Sequence, residues 1–154
     1  MTLEPALLSQ DAPLKLLVRD IRNIQKSKLQ AYPWKIQNLK KTSDRQPLLI
    51  QFNQIWLQGW VKNCENDGEN ILVSDGTGEV KVTKCSRSPG YNWIKQGSYC
   101  GILASVKFPS QLPPEVEALK FMHISEKTCE AERMWPLEVE ELMNVLGENI
   151  TFHQ

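Results

Sequence analysis

The sequence lacks the patterns that mark several large classes of protein. None of its hydrophobic runs approaches the roughly 18 residues that a membrane-spanning helix needs, so we expect no membrane contact. The N-terminus has no basic segment followed by an apolar one, which favours a cytosolic or nuclear protein. The four cysteines form no C-x-x-C pair, and neither histidine lies at metal-site spacing from them. We therefore expect reduced cysteines, no metal and no cofactor; a zinc site or a disulfide framework is the weaker alternative.

Enzyme motifs are also missing. The sequence contains no P-loop, no G-x-S-x-G motif and no paired histidines. The D-G-T-G segment at 75–78 resembles a phosphate-binding loop, but no helix follows it, and phosphate loops need a helix N-terminus behind them. We interpret it as a hairpin turn in which Asp75 accepts hydrogen bonds from nearby backbone N–H groups. The sequence thus predicts no catalytic residue and a protein that is not an enzyme.

The net charge is zero, but the charges are unevenly distributed. Residues 1–51 carry nine Lys or Arg and four acids, whereas residues 125–154 carry two Lys or Arg and seven acids. The region between them, 52–124, carries seven of each sign. A nucleic-acid-binding barrel usually has a basic excess, because neutralising phosphates supplies most of its affinity. The two charged ends are interpreted as solvated faces, with steering of a partner as the alternative.

The central region shows the alternation of apolar and polar residues that is typical of strands. It predicts strands at about 52–61, 69–74, 79–84, 98–108 and 115–124. Asn66, Asp67 and Gly68 suit the first hairpin turn, and Gly59 suggests the bend of a strand that curls to close a barrel. A short helix at about 91–96 would lie where OB barrels carry one. We therefore predict a mainly β protein with a single five-stranded OB-fold barrel.

Two amphipathic helices are predicted to flank this barrel. The first covers about 13–26, and the second covers about 136–146, with Pro136 in its first turn and Gly147 just past its end. The expected organisation is a flexible N-terminus (1–12), a helix and lead-in (13–50), the barrel (51–125), a C-terminal helical segment (126–147) and a tail (148–154).

Direct binding of nucleic acid has little support in the barrel strands. OB barrels stack bases on aromatic side chains of their second and third strands, and each such contact contributes about 1–3 kcal/mol. No aromatic residue lies between Trp60 and Tyr91. The candidates for weak contact are Lys81, Lys84 and Arg87.

Two features suit a protein partner. The second helix carries an apolar stripe of Trp135, Val139, Leu142 and Leu146, which suits packing on its own barrel and packing on a partner equally well. Lys120, in the fifth strand, either extends to water or meets an acidic group or carbonyl of a partner. The pattern leaves both questions open.

Six segments taken together resemble one known family. They are PLKLL (13–17), IWLQGWV (55–61), LVSDGTGEVKV (72–82), GSYCGILASV (97–106), EALKF (117–121) and MWPLEVEEL (134–142). In this order they resemble the second, small subunit of the RecQ-mediated genome instability complex. The resemblance spans about 13–146.

The resemblance implies a single OB fold that pairs with the C-terminal OB domain of the complex's larger subunit, as the middle subunit of replication protein A does in its own complex. It implies a nuclear protein with little or no direct nucleic-acid binding. Through the larger subunit it would join topoisomerase III and a RecQ (Bloom-type) helicase that dissolve double Holliday junctions. The predicted partner-binding residues are Lys120, Met134, Trp135, Leu137, Val139, Leu142 and Leu146. The alternative is a single-stranded DNA- or telomere-binding OB protein.

Overall fold

The computed structural model of the chain describes residues 6–37, 48–65, 67–124 and 128–151. Along the chain these residues form β1 (Ala6–Gln10), β2 (Leu14–Lys15), α1 (Val18–Ile21), β3 (Gln25–Lys26), β4 (Trp34–Gln37), β5 (Leu48–Phe52), β6 (Gln54–Glu65), β7 (Asn70–Ser74), β8 (Glu79–Thr83), β9 (Tyr99–Phe108), β10 (Glu115–His123) and α2 (Thr128–Thr151). Asn66, which the sequence assigns to the first hairpin turn, lies outside the described residues.

Strands β6 to β10 close into a barrel. Their order is β6-β7-β8-β10-β9, and β9 pairs again with β6. Strands β8 and β10 run parallel, while all other neighbours in the barrel are antiparallel. This closed five-stranded arrangement is the OB barrel, so the predicted fold class is confirmed.

The barrel core comes from the period-two alternation of its strands. In β6 the side chains of Ile55, Leu57 and Val61 are buried inside. Gly59 lies where β6 passes from pairing with β9 to pairing with β7. A Cβ atom at Gly59 would lie 2.6 Å from the carbonyl oxygen of Ser74, so glycine permits the close approach of β7.

The N-terminal region differs from its prediction. Residues 6–10, expected to be flexible, form β1, which pairs in parallel with β5 in a second sheet of order β1-β5-β4-β3. The helix predicted over 13–26 is reduced to Val18–Ile21. Leu14 and Lys15 pair instead with β6, and β3 pairs with β4. The apolar spacing still marks buried residues correctly, because each short element points its apolar side chains to the core.

The C-terminal helix is longer than predicted, spanning 24 residues from Thr128 to Thr151. Pro136 therefore lies inside the helix, and Gly147 does not end it. Residues 130–134 (EAERM) are good helix formers, so the helix starts before the proline that looked like a first-turn residue. The helix predicted at 91–96 is a single 3-10 turn, Tyr91–Trp93.

Candidate partner-binding surface

The D-G-T-G turn fastens the N-terminal segment to the barrel. The backbone N–H of Val18 donates to Asp75 Oδ2 at 2.8 Å. Asp75 Oδ1 accepts from the backbone N–H of Thr77, also at 2.8 Å. The Thr77 hydroxyl oxygen in turn accepts from the N–H of Arg19 at 3.1 Å. As expected, the carboxylate accepts from backbone N–H groups, but one of them belongs to α1, 57 residues away in sequence. The turn therefore satisfies the first N–H groups of α1.

The apolar stripe of α2 packs on the chain's own barrel. Trp135 and Val139 are 2% and 4% exposed and form a small cluster with Leu17, and the half-buried Trp56 packs against it. Leu146 joins the main core, with Leu142 packed against its edge. The structure thus places the stripe against the same chain, which the pattern alone left open. The indole N–H of Trp135 is buried without a hydrogen-bond partner among the described residues.

Outside this stripe, α2 is exposed and partly apolar. Met134, Leu137 and Val145 are 40%, 54% and 42% exposed. At about 100° per residue they lie within about 80° of one another around the helix axis. Met134 and Leu137 belong to the predicted set, whereas Val145 does not. Its signal in the sequence was its position outside the buried stripe.

A row of outward side chains leads across the barrel from α2 to Lys120. Trp56 on β6 is paired with Leu103 on β9, and Leu103 is paired with Lys120 on β10. Trp56 also touches the Trp135 cluster. A Cβ atom at Gly101 would lie 2.7 Å from Cζ2 of Trp56, so glycine allows the indole to lie flat across the strand. The row therefore reaches the Trp135 cluster at the start of α2.

A β-bulge turns Lys120 outward. Ala118 pairs with Ala104 and Lys120 pairs with Leu103, so Leu119 is an extra residue without a cross-strand partner in this register. Ala118 and Phe121 are buried, whereas Lys120 is exposed. Strict alternation from Ala118 would have turned Lys120 into the barrel. The bulge has no local sequence signal, and it explains how a lysine lies in a barrel strand without being buried.

We name this whole area the α2–β10 surface, and it comprises Met134, Leu137, Val145, Trp56, Leu103, Lys120 and Met122. Met122 is 44% exposed and pairs with Gly101 in the row next to Lys120. Methionine is enriched in protein interfaces, whereas a row of half-exposed apolar side chains beside one lysine is uncommon on a free surface. The geometry suits contact with another protein.

The family model described as RecQ-mediated genome instability protein 2 matches residues 12–143. The chain belongs to this family. It is therefore an OB-fold protein of genome stability. No individual curated protein matches the chain in sequence.

Solved structures with the same fold include a replication protein A heterotrimer bound to single-stranded DNA. Its matched chain is 16% identical, with 87% of this chain and 98% of that chain covered and a TM-score of 0.52. The telomere capping protein Ten1 from Saccharomyces pombe is 10% identical, with 84% and 99% covered and a TM-score of 0.51. Yeast replication protein A bound to single-stranded DNA is 16% identical, with 85% and 89% covered and a TM-score of 0.50. At these identities the likeness shows the shared OB fold.

The two lysines that were candidates for nucleic-acid contact, Lys81 and Lys84, both form ion pairs. Lys81 Nζ lies 3.8 Å from Glu115 Oε1, and Lys84 Nζ lies 3.0 Å from Glu117 Oε2. Glu117 also accepts from Lys107 Nζ at 2.6 Å, and these hydrogen bonds hold the pKa of its carboxyl below the usual range. Arg87 is exposed in the 3-10 turn Cys85–Arg87. The acids of β10 thus offset the positive charges of Lys81 and Lys84.

Other kinds of site find no support in the part of the chain that the structure describes. Within it no three His, Cys, Asp or Glu side chains are grouped so that they could hold a metal ion. None of its helices is long and apolar enough to cross a membrane. Cys64, Cys85 and Cys100 are free thiols. Burial raises the pKa of Cys85 and of Cys100 to about 12, so both are unreactive at neutral pH.

Proposed function

We propose that this protein is a non-catalytic nuclear subunit that heterodimerises with the C-terminal OB domain of the larger subunit of the RecQ-mediated genome instability complex. Through that subunit it would stabilise an assembly with topoisomerase III and a RecQ helicase that dissolves double Holliday junctions. The observation that carries the proposal is the α2–β10 surface, which combines exposed apolar side chains of a terminal helix with the row that contains Lys120. Family membership supports it, and the fold is shared with a chain of a solved heterotrimer.

The predicted partner-binding residues divide into two groups in this proposal. Met134 and Leu137 would contact the partner directly, because they are exposed on α2. Trp135, Val139 and Leu146 are buried in the chain's own core and act by holding α2 in place. Leu142 lies between the two groups, half-buried at the edge of the core. Anchors at the centre of an interface are those that a partner can enclose, so the exposed residues should carry most of the binding energy.

Lys120 gives the surface its specificity. Its neighbours across the strands are apolar, so a partner that covers Leu103 and Met122 would also remove the ammonium group from water. A buried charge without a counter-charge is strongly unfavourable. We therefore expect a carboxylate or a cluster of carbonyl oxygens on the partner opposite Lys120. Replacing Lys120 by glutamate would reverse this attraction.

Co-purification of the full chain with the larger subunit's OB domain tests the proposal. Leu137→Glu and Lys120→Glu should each weaken the pair by a factor of about 30 or more, as loss of a central interface residue does. Leu112→Glu is the matched control for Leu137→Glu, because Leu112 is 92% exposed outside the α2–β10 surface and its change adds the same charge. Circular dichroism would verify that the variants are folded. Pairing that survives both substitutions undiminished would refute this assignment of the surface.

A further inference from the structure

The side chain of Trp56 lies between the barrel and α2 and contacts both. Trp56 pairs with Leu103 on β9, and its ring reaches Gly101, two residues earlier on the same strand. Diagonal neighbours on one face of a sheet are within reach of an aromatic side chain. On the helix side the indole packs against the cluster that contains Trp135. One half-buried ring therefore links strand β9 to the start of α2.

Gly101 leaves the space that this ring fills. A Cβ atom at Gly101 would lie 2.7 Å from Cζ2 of Trp56 and 3.4 Å from both Cε2 and Cη2. Carbon atoms normally approach to about 3.5–4.0 Å, so one of the two groups would have to move. The φ of Gly101 lies outside the left-handed region, so the backbone does not require glycine here. The need for glycine comes from the contact with the indole.

The strand under the ring cannot easily give way. Gly101 is buried in β9 and pairs with Gln58 of β6 on one side and Met122 of β10 on the other. The backbone of Trp56 is held as well, because it pairs with Lys15 of β2 and its carbonyl accepts from the N–H of Leu16 at 3.2 Å. A methyl group at position 101 would therefore displace the indole and leave both strands in place.

An indole displaced from β9 moves towards α2. Trp135 packs against Trp56 and is only 2% exposed, so its own ring has little room to retreat. Met134 directly precedes Trp135, and Leu137 follows it by two residues, so all three lie within about one helical turn. A shift of Trp135 is thus passed on to the two exposed side chains that would contact the partner.

We propose that Gly101 is a positioning residue for partner binding, because the space above it seats Trp56 and so sets where α2 presents Met134 and Leu137. This inference rests on the proposed function. It adds that the strength of pairing depends on a buried glycine that the partner does not touch. Interface anchors depend on close packing, so displaced anchors should bind more weakly even though none of them has been replaced.

The position of α2 is tested first in the isolated full chain by heteronuclear NMR. Gly101→Ala should shift the indole N–H resonances of Trp56 and Trp135. Gly97→Ala is the control. Gly97 has a φ of 90°, so alanine there strains the backbone, and no described group lies within 4 Å of the added Cβ atom. It should lower stability and leave both indole resonances in place. An unchanged Trp135 resonance in Gly101→Ala would overturn the positioning role.

The affinity for the larger subunit's OB domain is measured next by titration calorimetry. Gly101→Ala should weaken pairing about tenfold, less than the roughly 30-fold expected for Leu137→Glu, because the anchors are shifted and not lost. Gly97→Ala should bind like the wild type. An equal loss in both alanine variants would mean that affinity follows stability, which would refute the inference.

A second substitution tests whether the effect passes through the indole. Trp56→Phe removes the ring atom Cζ2 that the methyl group would meet. In this background Gly101→Ala should change the affinity by less than about twofold, the limit for independent sites. A tenfold loss that persists would show that position 101 acts by another route, against the proposal. A wild-type chain that does not pair at all would refute the proposed function, and with it the role of Gly101 in binding.

Discussion

The N-terminal segment and the C-terminal helix carry the same one-dimensional pattern but fold differently. Both have apolar residues at helical spacing, and both pack on the outside of the barrel. Residues 14–26 become a short strand, a four-residue helix and another short strand, while α2 runs for 24 residues. The difference lies in the backbone partners. Strand β6 offers Leu14 and Lys15 a free edge, so these two residues pair as a strand. The D-G-T-G turn accepts hydrogen bonds from the N–H groups of Val18 and Arg19, so the helix begins only at Val18.

The two regions also differ in charge and in proposed task. The N-terminal segment is basic, whereas the C-terminal helix is acidic and presents apolar residues outward. The spacing of apolar residues indicates which side chains are buried. It does not indicate which groups will form hydrogen bonds with the backbone of the segment. Three changes would test whether hydrogen bonds hold one region and packing holds the other.

The largest effect is expected from removing the anchor of α2. Trp135→Ala should lower the free energy of unfolding by about 3–5 kcal/mol, because it leaves a large cavity between the helix and the barrel. Trp135→Phe should cost less than about 1.5 kcal/mol, since it keeps most of the packing and the indole N–H has no partner to lose. Urea unfolding monitored by circular dichroism measures both. Equal losses in the two variants would mean that packing does not hold the helix.

The second change breaks the hydrogen bonds that hold the N-terminal segment. Asp75→Ala removes the acceptor of the Val18 and Thr77 N–H groups, and each unsatisfied donor costs about 1–3 kcal/mol. We expect a loss of about 2–3 kcal/mol and faster hydrogen exchange at Val18 and Arg19, with exchange in α2 unchanged. Asp75→Asn keeps one side-chain oxygen and should lose less. If α2 also exchanged faster, the two regions would be one cooperative unit and the comparison would fail.

Features that depend on local signals in the sequence could be predicted, whereas features that depend on contacts between distant residues could not. The five barrel strands were found to within a few residues at most boundaries, because alternation and glycine turns are local signals. The bulge at Leu119 depends on how β9 and β10 align, so the exposure of Lys120 could not be predicted from the order of residues. Whether Trp135 is buried on its own barrel depends in the same way on contacts with Leu17 and Trp56, which are far away in sequence.

The smallest effect concerns the pH dependence of the N-terminal segment. Burial raises the pKa of Asp20 above its ordinary value, although its carboxylate accepts from the Leu17 N–H at 3.1 Å. The folded state then holds a proton that the unfolded state has already released, so stability should fall as the pH rises from near 3.8 through the pKa of the folded protein. Above that pKa the penalty is fully present, and below 3.8 it is absent.

Asp20→Asn cannot ionise and should lose this decline, while Asp11→Asn, which changes an exposed acid of the same segment, should keep it. The measurement is the difference in unfolding free energy between the wild type and each variant across this pH range. A wild type that instead becomes more stable than Asp20→Asn as the pH rises would show that the Leu17 hydrogen bond outweighs burial, and the start of α1 would then be stabilised by hydrogen bonds to both Asp20 and Asp75.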